Sequence, residues 1–336
     1  MEKVFVSGGS GYIALHCISQ LIIKGFLVKT SLRNLDRKQE VIDSIKKIAD
    51  CDGKLEFCEL DLMVEDGWEE SIRGCDYVLH IASPLIFGTP KNPDDLIQPA
   101  VKGLEKCLKA SVKNRVKKFV MTSSFAAIGS GSNKTEFNDE DWTSLDSKIH
   151  AYNKSKTMAE IYMWDYINNL SEDQRINVCA INPVVVIGPS LSDDVGVSNL
   201  AVRKLLDGSL PFMPKLGVDL VDVRDVADIH IKAMLSQEAN GKRFLLSSHT
   251  LWYSEIANIL KDSGYKKVPK ITVPNIFVRI FAIFDKEARI ALDRLGKKYT
   301  LNADNAFKIL DWKPRDIKNT IIETAKQLEY LKIIKK

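Results

Sequence analysis

The stretch Val4-Phe5-Val6-Ser7-Gly8-Gly9-Ser10-Gly11-Tyr12-Ile13-Ala14 decides the fold. Three apolar residues with strong strand preference run into a glycine cluster, and a helical pattern opens directly behind it. Ile13, Cys17, Ile18, Leu21 and Ile22 fall on one helical face, and Gly25 supplies the stop. A helix N-terminus carries free amides and the positive end of the helix dipole, so a glycine turn placed there is built for an anion. Gly9-x-Gly11-x-x-Ala14 fits the dinucleotide fingerprint, and Gly8-x-x-Gly11-x-x-Ala14 fits a wider-spaced version equally well. In both, the glycines let the backbone turn tightly and approach a pyrophosphate.

Outward from this turn, strands alternate with helical patterns. Leu27 to Leu32, Leu55 to Glu59, Tyr77 to Ile81, Lys118 to Thr122 and Asn177 to Asn182 read as strands. A helix between the fourth and fifth carries Leu96, Ala100, Val101, Leu104 and Leu108 on its apolar stripe. Right-handed crossovers then give an α/β, Rossmann-type doubly wound parallel sheet. After Pro183 the rhythm breaks into proline- and glycine-punctuated loops and short helices. Residues 1–183 are expected to form the dinucleotide domain, with segments near 218–250 returning to it. Residues 184–336 are expected to form a smaller, mainly substrate-binding lobe packed against it.

The end of the second strand speaks to which nucleotide is bound. NAD sites usually place an acidic residue there to hold the ribose hydroxyl. Here the strand ends Thr30-Ser31-Leu32-Arg33, with Arg37 and Lys38 just beyond and Asp36 the only nearby acid. A guanidinium binds a phosphate bidentately, so Arg33 points to NADP (NADPH).

Tyr152-Asn153-Lys154-Ser155-Lys156 opens another helical pattern, and Tyr and Lys four apart share one face. A free phenol titrates near ~10, and a neighbouring ammonium is expected to lower that value. Ser124 closes the fifth strand at its C-terminal end, where doubly wound sheets place ligands. Hydride transfer to a carbonyl carbon builds charge on the oxygen, which needs preplaced donors and a proton. Ser124 can hold that oxygen, Tyr152 can protonate it, and Lys156 can tune Tyr152.

Composition narrows the field. A net charge of +4 spread over 336 residues gives no footprint for nucleic acid. Six cysteines without Cys-x-x-Cys spacing read as reduced thiols of a cytoplasmic protein. The first strand begins almost at Met1, so no signal segment is expected, and the apolar run Ile276 to Phe284, broken by Arg279, is too short to cross a bilayer. That run is read as lining a pocket or packing in the core, with the core expected. His80, His150 and His230 are scattered, so no metal site is expected.

These residues together resemble the extended short-chain dehydrogenase/reductases, and the dihydroflavonol-reductase-like branch within them, across nearly the whole chain. The glycine loop, Asp61-Leu62, His80-Ile81-Ala82-Ser83-Pro84, Thr122-Ser123-Ser124, Tyr152 with Lys156, Asn182-Pro183 and Val186-Ile187-Gly188-Pro189 carry the likeness. Asp222 to Ala227 and Leu310 to Pro314 match late motifs read as structural. The resemblance implies a catalytic Ser124, Tyr152 and Lys156. It implies cofactor contacts from Gly8 to Ile13 and from Arg33, Arg37, Lys38, Asp61, Leu62, Ile81, Ala82, Ser83, Thr122, Ser123, Pro183 and Val186. The branch reduces aldehydes, ketones and methylglyoxal. Gly129 stands where plant dihydroflavonol reductases carry a substrate-contacting asparagine, which argues against flavonoids. Pro84, Leu85, Phe87 and Phe125 suggest an apolar wall favouring aromatic or branched carbonyls over charged ones. The reading is therefore an NADPH-dependent carbonyl reductase, monomer or homodimer. Its rivals are a hydroxysteroid dehydrogenase or cinnamoyl-CoA-type reductase and, further off, a nucleotide-sugar epimerase or dehydratase or a non-catalytic NADP-binding regulator.

Overall fold

The computed structural model describes residues 1–84, 90, 92–284 and 292–334. The first half runs β1 (Lys3–Val6), α1 (Tyr12–Ile23), β2 (Leu27–Leu32), α2 (Lys38–Lys46), β3 (Leu55–Glu59), α3 (Trp68–Ile72) and β4 (Tyr77–His80). It continues with α4 (Asp94–Lys113), β5 (Lys118–Thr122), α5 (Ala126–Gly129), β6 (Glu136–Asn138), α6 (Ala151–Asn168) and β7 (Asn177–Pro183). The second half has β8 (Val185–Ile187), α7 (Asn199–Leu206), β9 (Met213–Pro214), β10 (Gly217–Asp222), α8 (Val223–Leu235) and β11 (Arg243–Leu246). Then come β12 (His249–Trp252), α9 (Tyr253–Asp262), β13 (Thr272–Val273), α10 (Asn275–Phe284), β14 (Thr300–Asn302) and helices Asp304–Leu310 and Ile317–Tyr330.

The central sheet has seven strands in the order β11-β7-β5-β4-β1-β2-β3, all parallel, the Rossmann-type arrangement. Parallel strands are covered on both faces, which is why Val4, Phe5 and Val6 are apolar without alternation and wholly buried. One face is closed by α1, α2 and α8, the other by α3, α4 and α6. Phe5, Phe119 and Phe244 are fully enclosed, each contributing roughly 1.5–3 kcal/mol of burial. β11 comes from the second half of the chain and pairs with β7, Leu246 opposite Pro183.

A second apolar core gathers Leu205, Leu220, Leu260, Ile321 and Leu328 around the three-stranded sheet β12-β10-β8. Asp222 locks this part to the body. It caps α8 through the Arg224 amide at 2.7 Å and accepts the Thr320 hydroxyl at 2.7 Å from the last helix.

Two sequence readings need correction. The fourth strand ends at His80, because the Ile81 and Ala82 amides turn onto the Ser7 hydroxyl at 3.0 and 2.9 Å. The run Ile276 to Phe284 is not core. Only Val278 and Ala282, one turn apart, face inward, while Ile276, Phe277, Ile280, Phe281, Ile283 and Phe284 are exposed. No helix among the described residues is long and apolar enough to cross a membrane.

Candidate active site

The glycine turn is held open from below. Gly8 sits at φ +73°, a conformation that side chains disfavour. A Cβ on Gly9 would stand 2.2 Å from Thr30 Oγ1, so β2 approaches too closely for any other residue. The Gly8 amide donates to Ser31 Oγ at 3.0 Å and the Gly9 amide to Ser31 O at 2.9 Å. These bonds tie the turn to the end of β2. α1 starts at Tyr12, and its first-turn amides have no intrahelical acceptor. The Tyr12 side chain is used otherwise: its hydroxyl donates to Gly188 O at 2.8 Å and anchors the second half of the chain.

Beyond β2, Arg33 is exposed and makes no ion pair or side-chain hydrogen bond among the described residues. Arg37 donates to Ser10 Oγ at 3.0 Å and holds Glu40 through two bonds of 2.8 Å. Lys38 lies 6.0 Å from the Phe57 ring centroid. Arg37 thus roofs the glycine turn with its charge answered by Glu40, and Arg33 is the cation left uncommitted.

The sheet edge above β5 sorts the three hydroxyls of Thr122-Ser123-Ser124. Thr122 Oγ1 pairs with His230 Nε2 at 2.7 Å, and Ser123 donates to Glu160 in a short bond. Both point into the protein. Ser124 alone turns to the cleft, which the Tyr152 phenol also lines, and its hydroxyl accepts the Ala126 amide at 3.1 Å. Lys156, one turn along α6, is buried and donates to Thr122 O at 3.0 Å. The structure brings all three together.

The electrostatics differ from the sequence expectation. Burial holds the Tyr152 phenol above its ordinary value, opposed by the nearby Ser124 hydroxyl, and Lys156 contributes no lowering. The reason is that burial depresses the lysine itself to about 8, with Glu160 opposing. A lysine that titrates at about 8 keeps its charge at neutral pH but has lost it in the range where the buried phenol ionises, so it lowers no phenol there.

Glu160, which the sequence reading passed over, is the hub behind the site. It is wholly buried one turn after Lys156. Besides Ser123 it accepts Asn182 Nδ2 at 2.8 Å and Arg243 Nε at 2.6 Å. Arg243, from β11, donates to Asp139 O at 3.0 Å and stacks on Trp142 at 3.8 Å. The only sequence signal was the i,i+4 spacing from Lys156, since Arg243 lies 83 residues away.

A cleft of about 690 Å³ opens from Ser124 and Tyr152. Phe125, Tyr299, Val184, Val185, Pro90 and Leu96 give it apolar walls. Phe125 is wedged against Phe137 at 5.4 Å and Tyr299 at 6.1 Å. Val184 and Val185 stand where Pro183 and Val186 were expected to face a ligand. Val186 instead joins the core, and Pro183 O accepts the Phe125 amide at 2.9 Å. Ser83 and Pro84 are half-buried and Pro84 does not line the cleft, while Phe87 lies outside the described residues. Asp61 caps its own turn through the Met63 amide at 2.7 Å, and Leu62 packs onto Gly103 of α4. His80 and His230 are buried in hydrogen bonds to Ser7 and Thr122, whereas His150 lines the cleft. Among the described residues no cluster suits a metal ion.

A nucleotide-type glycine turn and a hydroxyl–phenol–ammonium set on one sheet edge define an oxidoreductase of the extended short-chain dehydrogenase/reductase class. The chain belongs to the 3-beta hydroxysteroid dehydrogenase/isomerase family, whose model matches residues 5–262. It is 29% identical to a cinnamoyl-CoA reductase of Medicago truncatula over 88% of this chain and 91% of that one. It is 27% identical to the NADPH-dependent methylglyoxal reductase of Saccharomyces cerevisiae over 97% of this chain and 98% of that one. The crystal structure of the yeast methylglyoxal/isovaleraldehyde reductase with NADPH superposes with a TM-score of 0.82, at 26% identity, covering 98% and 99% of the two chains.

Proposed function

We propose that this chain reduces an aldehyde or ketone to the alcohol, using NADPH. The observation that carries the reading is that Ser124 and Tyr152 line one cleft together, with Lys156 behind them on Thr122 O at 3.0 Å. The residues present suit the nucleotide: the Gly9 backbone lies where a Cβ would collide with Thr30, and Arg33 is an uncommitted cation where a 2′-phosphate would sit. When bound, NADPH supplies the hydride. The chain's own groups act on the carbonyl oxygen. The Ser124 hydroxyl donates to that oxygen and stabilises its developing charge. Tyr152, held neutral by burial, delivers the proton. Lys156 in its ammonium form stabilises the phenolate left behind, and Glu160 supports that ammonium. The Phe125 and Tyr299 rings exclude water on one side of the cleft. That chemistry also supports reading the NADPH and methylglyoxal named for the yeast relative as a guide to cofactor and substrate type. Following NADPH absorbance across a panel of aldehydes, α-dicarbonyls, ketones and thioesters tests it. Turnover of simple carbonyls is expected, and reduction of none of them would contradict it.

A further inference from the structure

The walls of the cleft are not uniformly apolar. Its charged lining side chains are Lys148, Arg294 and Lys297, and no described aspartate or glutamate lines it. Arg294 is a fixed cation. It is ion-paired with Asp219, which is wholly buried and also accepts the Thr250 hydroxyl at 2.7 Å. Its guanidinium lies over the Tyr299 ring at 4.3 Å and 5.9 Å from Phe125. Asp219 answers that one charge. Lys148 and Lys297 have no carboxylate partner among the described residues, so the described lining of the cleft carries an excess of positive charge. The Lys297 main chain is pinned, its carbonyl accepting the Gly217 amide at 3.0 Å, so its side chain starts from a fixed point. The loop Ser130-Gly131-Ser132-Asn133 completes this polar side, with Gly131 at φ +68°.

Two uncompensated lysines in a cleft raise the local concentration of anions and repay the desolvation of one that docks. An apolar aldehyde would leave them unused. We propose that Lys297, with Lys148, forms a subsite for a carboxylate, and that the preferred substrates are oxo-acids whose carbonyl reaches Ser124 and Tyr152 while the carboxylate meets these lysines. This rests on the carbonyl-reductase reading above. It replaces the sequence expectation that charged carbonyls are disfavoured.

The test compares matched pairs with NADPH: 4-oxobutanoate with its methyl ester, and 4-formylbenzoate with its methyl ester. The coenzyme A thioester of benzoate is a third arm, because its phosphates offer the same lysines a different anion. The acids are expected to exceed their esters in kcat/KM by about tenfold, the scale of one charge-assisted contact, and the excess should shrink with added salt. Lys297→Met should bring the acid-to-ester ratio close to one, and Lys297→Arg should keep most of it, which separates lost charge from lost folding. Equal rates for acids and esters, a ratio unmoved by Lys297→Met, or preference for the thioester alone would overturn the subsite. Turnover of neither acids nor esters would overturn the reductase reading beneath it.

Discussion

Glu160 and Arg243 form an ion pair inside the protein, Arg243 Nε to Glu160 Oε1 at 2.6 Å, one helical turn behind the buried Lys156. The carboxylate is compensated by Arg243 yet still raises the proton affinity of Lys156, opposing a burial that leaves the lysine at about 8. The same carboxylate receives Ser123 and Asn182, so it also fixes the main chain beneath Ser124. Glu160 is therefore a positioning residue with an electrostatic reach.

The pH dependence follows from that pair. Lys156 works as an ammonium and loses its proton as pH rises through about 8, so kcat for reduction should fall above that pH. Glu160→Gln removes the charge that supports the ammonium, so the alkaline limb should move to lower pH. A pH profile of kcat for both proteins checks this. A limb that stays in place, or moves upward, would show that Glu160 does not act through Lys156.

Cofactor choice rests on Arg33. Removing a bidentate phosphate contact costs about 1.5–3 kcal/mol, so Arg33→Ala should weaken NADPH roughly 10- to 100-fold and leave NADH nearly unchanged. Arg37→Ala should cost less, because Arg37 is already engaged with Glu40. Fluorescence titration with both cofactors measures this. Equal losses for the two cofactors would remove Arg33 from phosphate recognition.

Gly129 has a packing reason as well as a recognition one. A Cβ there would stand 2.5 Å from Phe125 Cζ and 2.9 Å from Phe137 Cε1, inside the aromatic cluster that walls the cleft. Gly129→Asn should destabilise the fold by about 1–3 kcal/mol through overpacking, and should not yield a dihydroflavonol reductase. Chemical denaturation and a dihydroflavonol assay read the two parts. An unchanged unfolding midpoint would mean that Phe125 is free to move aside.

Much of this arrangement was legible in the sequence, because the signals are local. The strand–glycine–helix order around Gly8 to Ala14 and the i,i+4 pair Tyr152–Lys156 each lie within one turn or helix. What escaped depends on contacts between distant segments. Arg243 reaches Glu160, and Arg294 and Tyr299 reach Phe125, across chain separations that no periodicity encodes. Val186 and Val185 differ only in which face of a short strand they occupy, and a one-residue shift exchanges core for cleft. The apolar helix at Ile276 misled because hydrophobicity reports a preference for burial, not whether a partner surface is there. The direction of the Tyr152 shift was missed because spacing shows the neighbour and not its desolvation.

The central claim is that Tyr152 is the proton donor. Tyr152→Phe keeps the ring and removes the hydroxyl that shares the cleft with Ser124, so packing and cofactor affinity should hold while the acid is lost. The most direct measurement is single-turnover reduction by this variant, with NADPH affinity measured by fluorescence on the same sample. The account predicts near-normal NADPH binding and a rate lower by at least about 10²-fold, the low end of what general acid catalysis supplies. Near-normal reduction by Tyr152→Phe would contradict it.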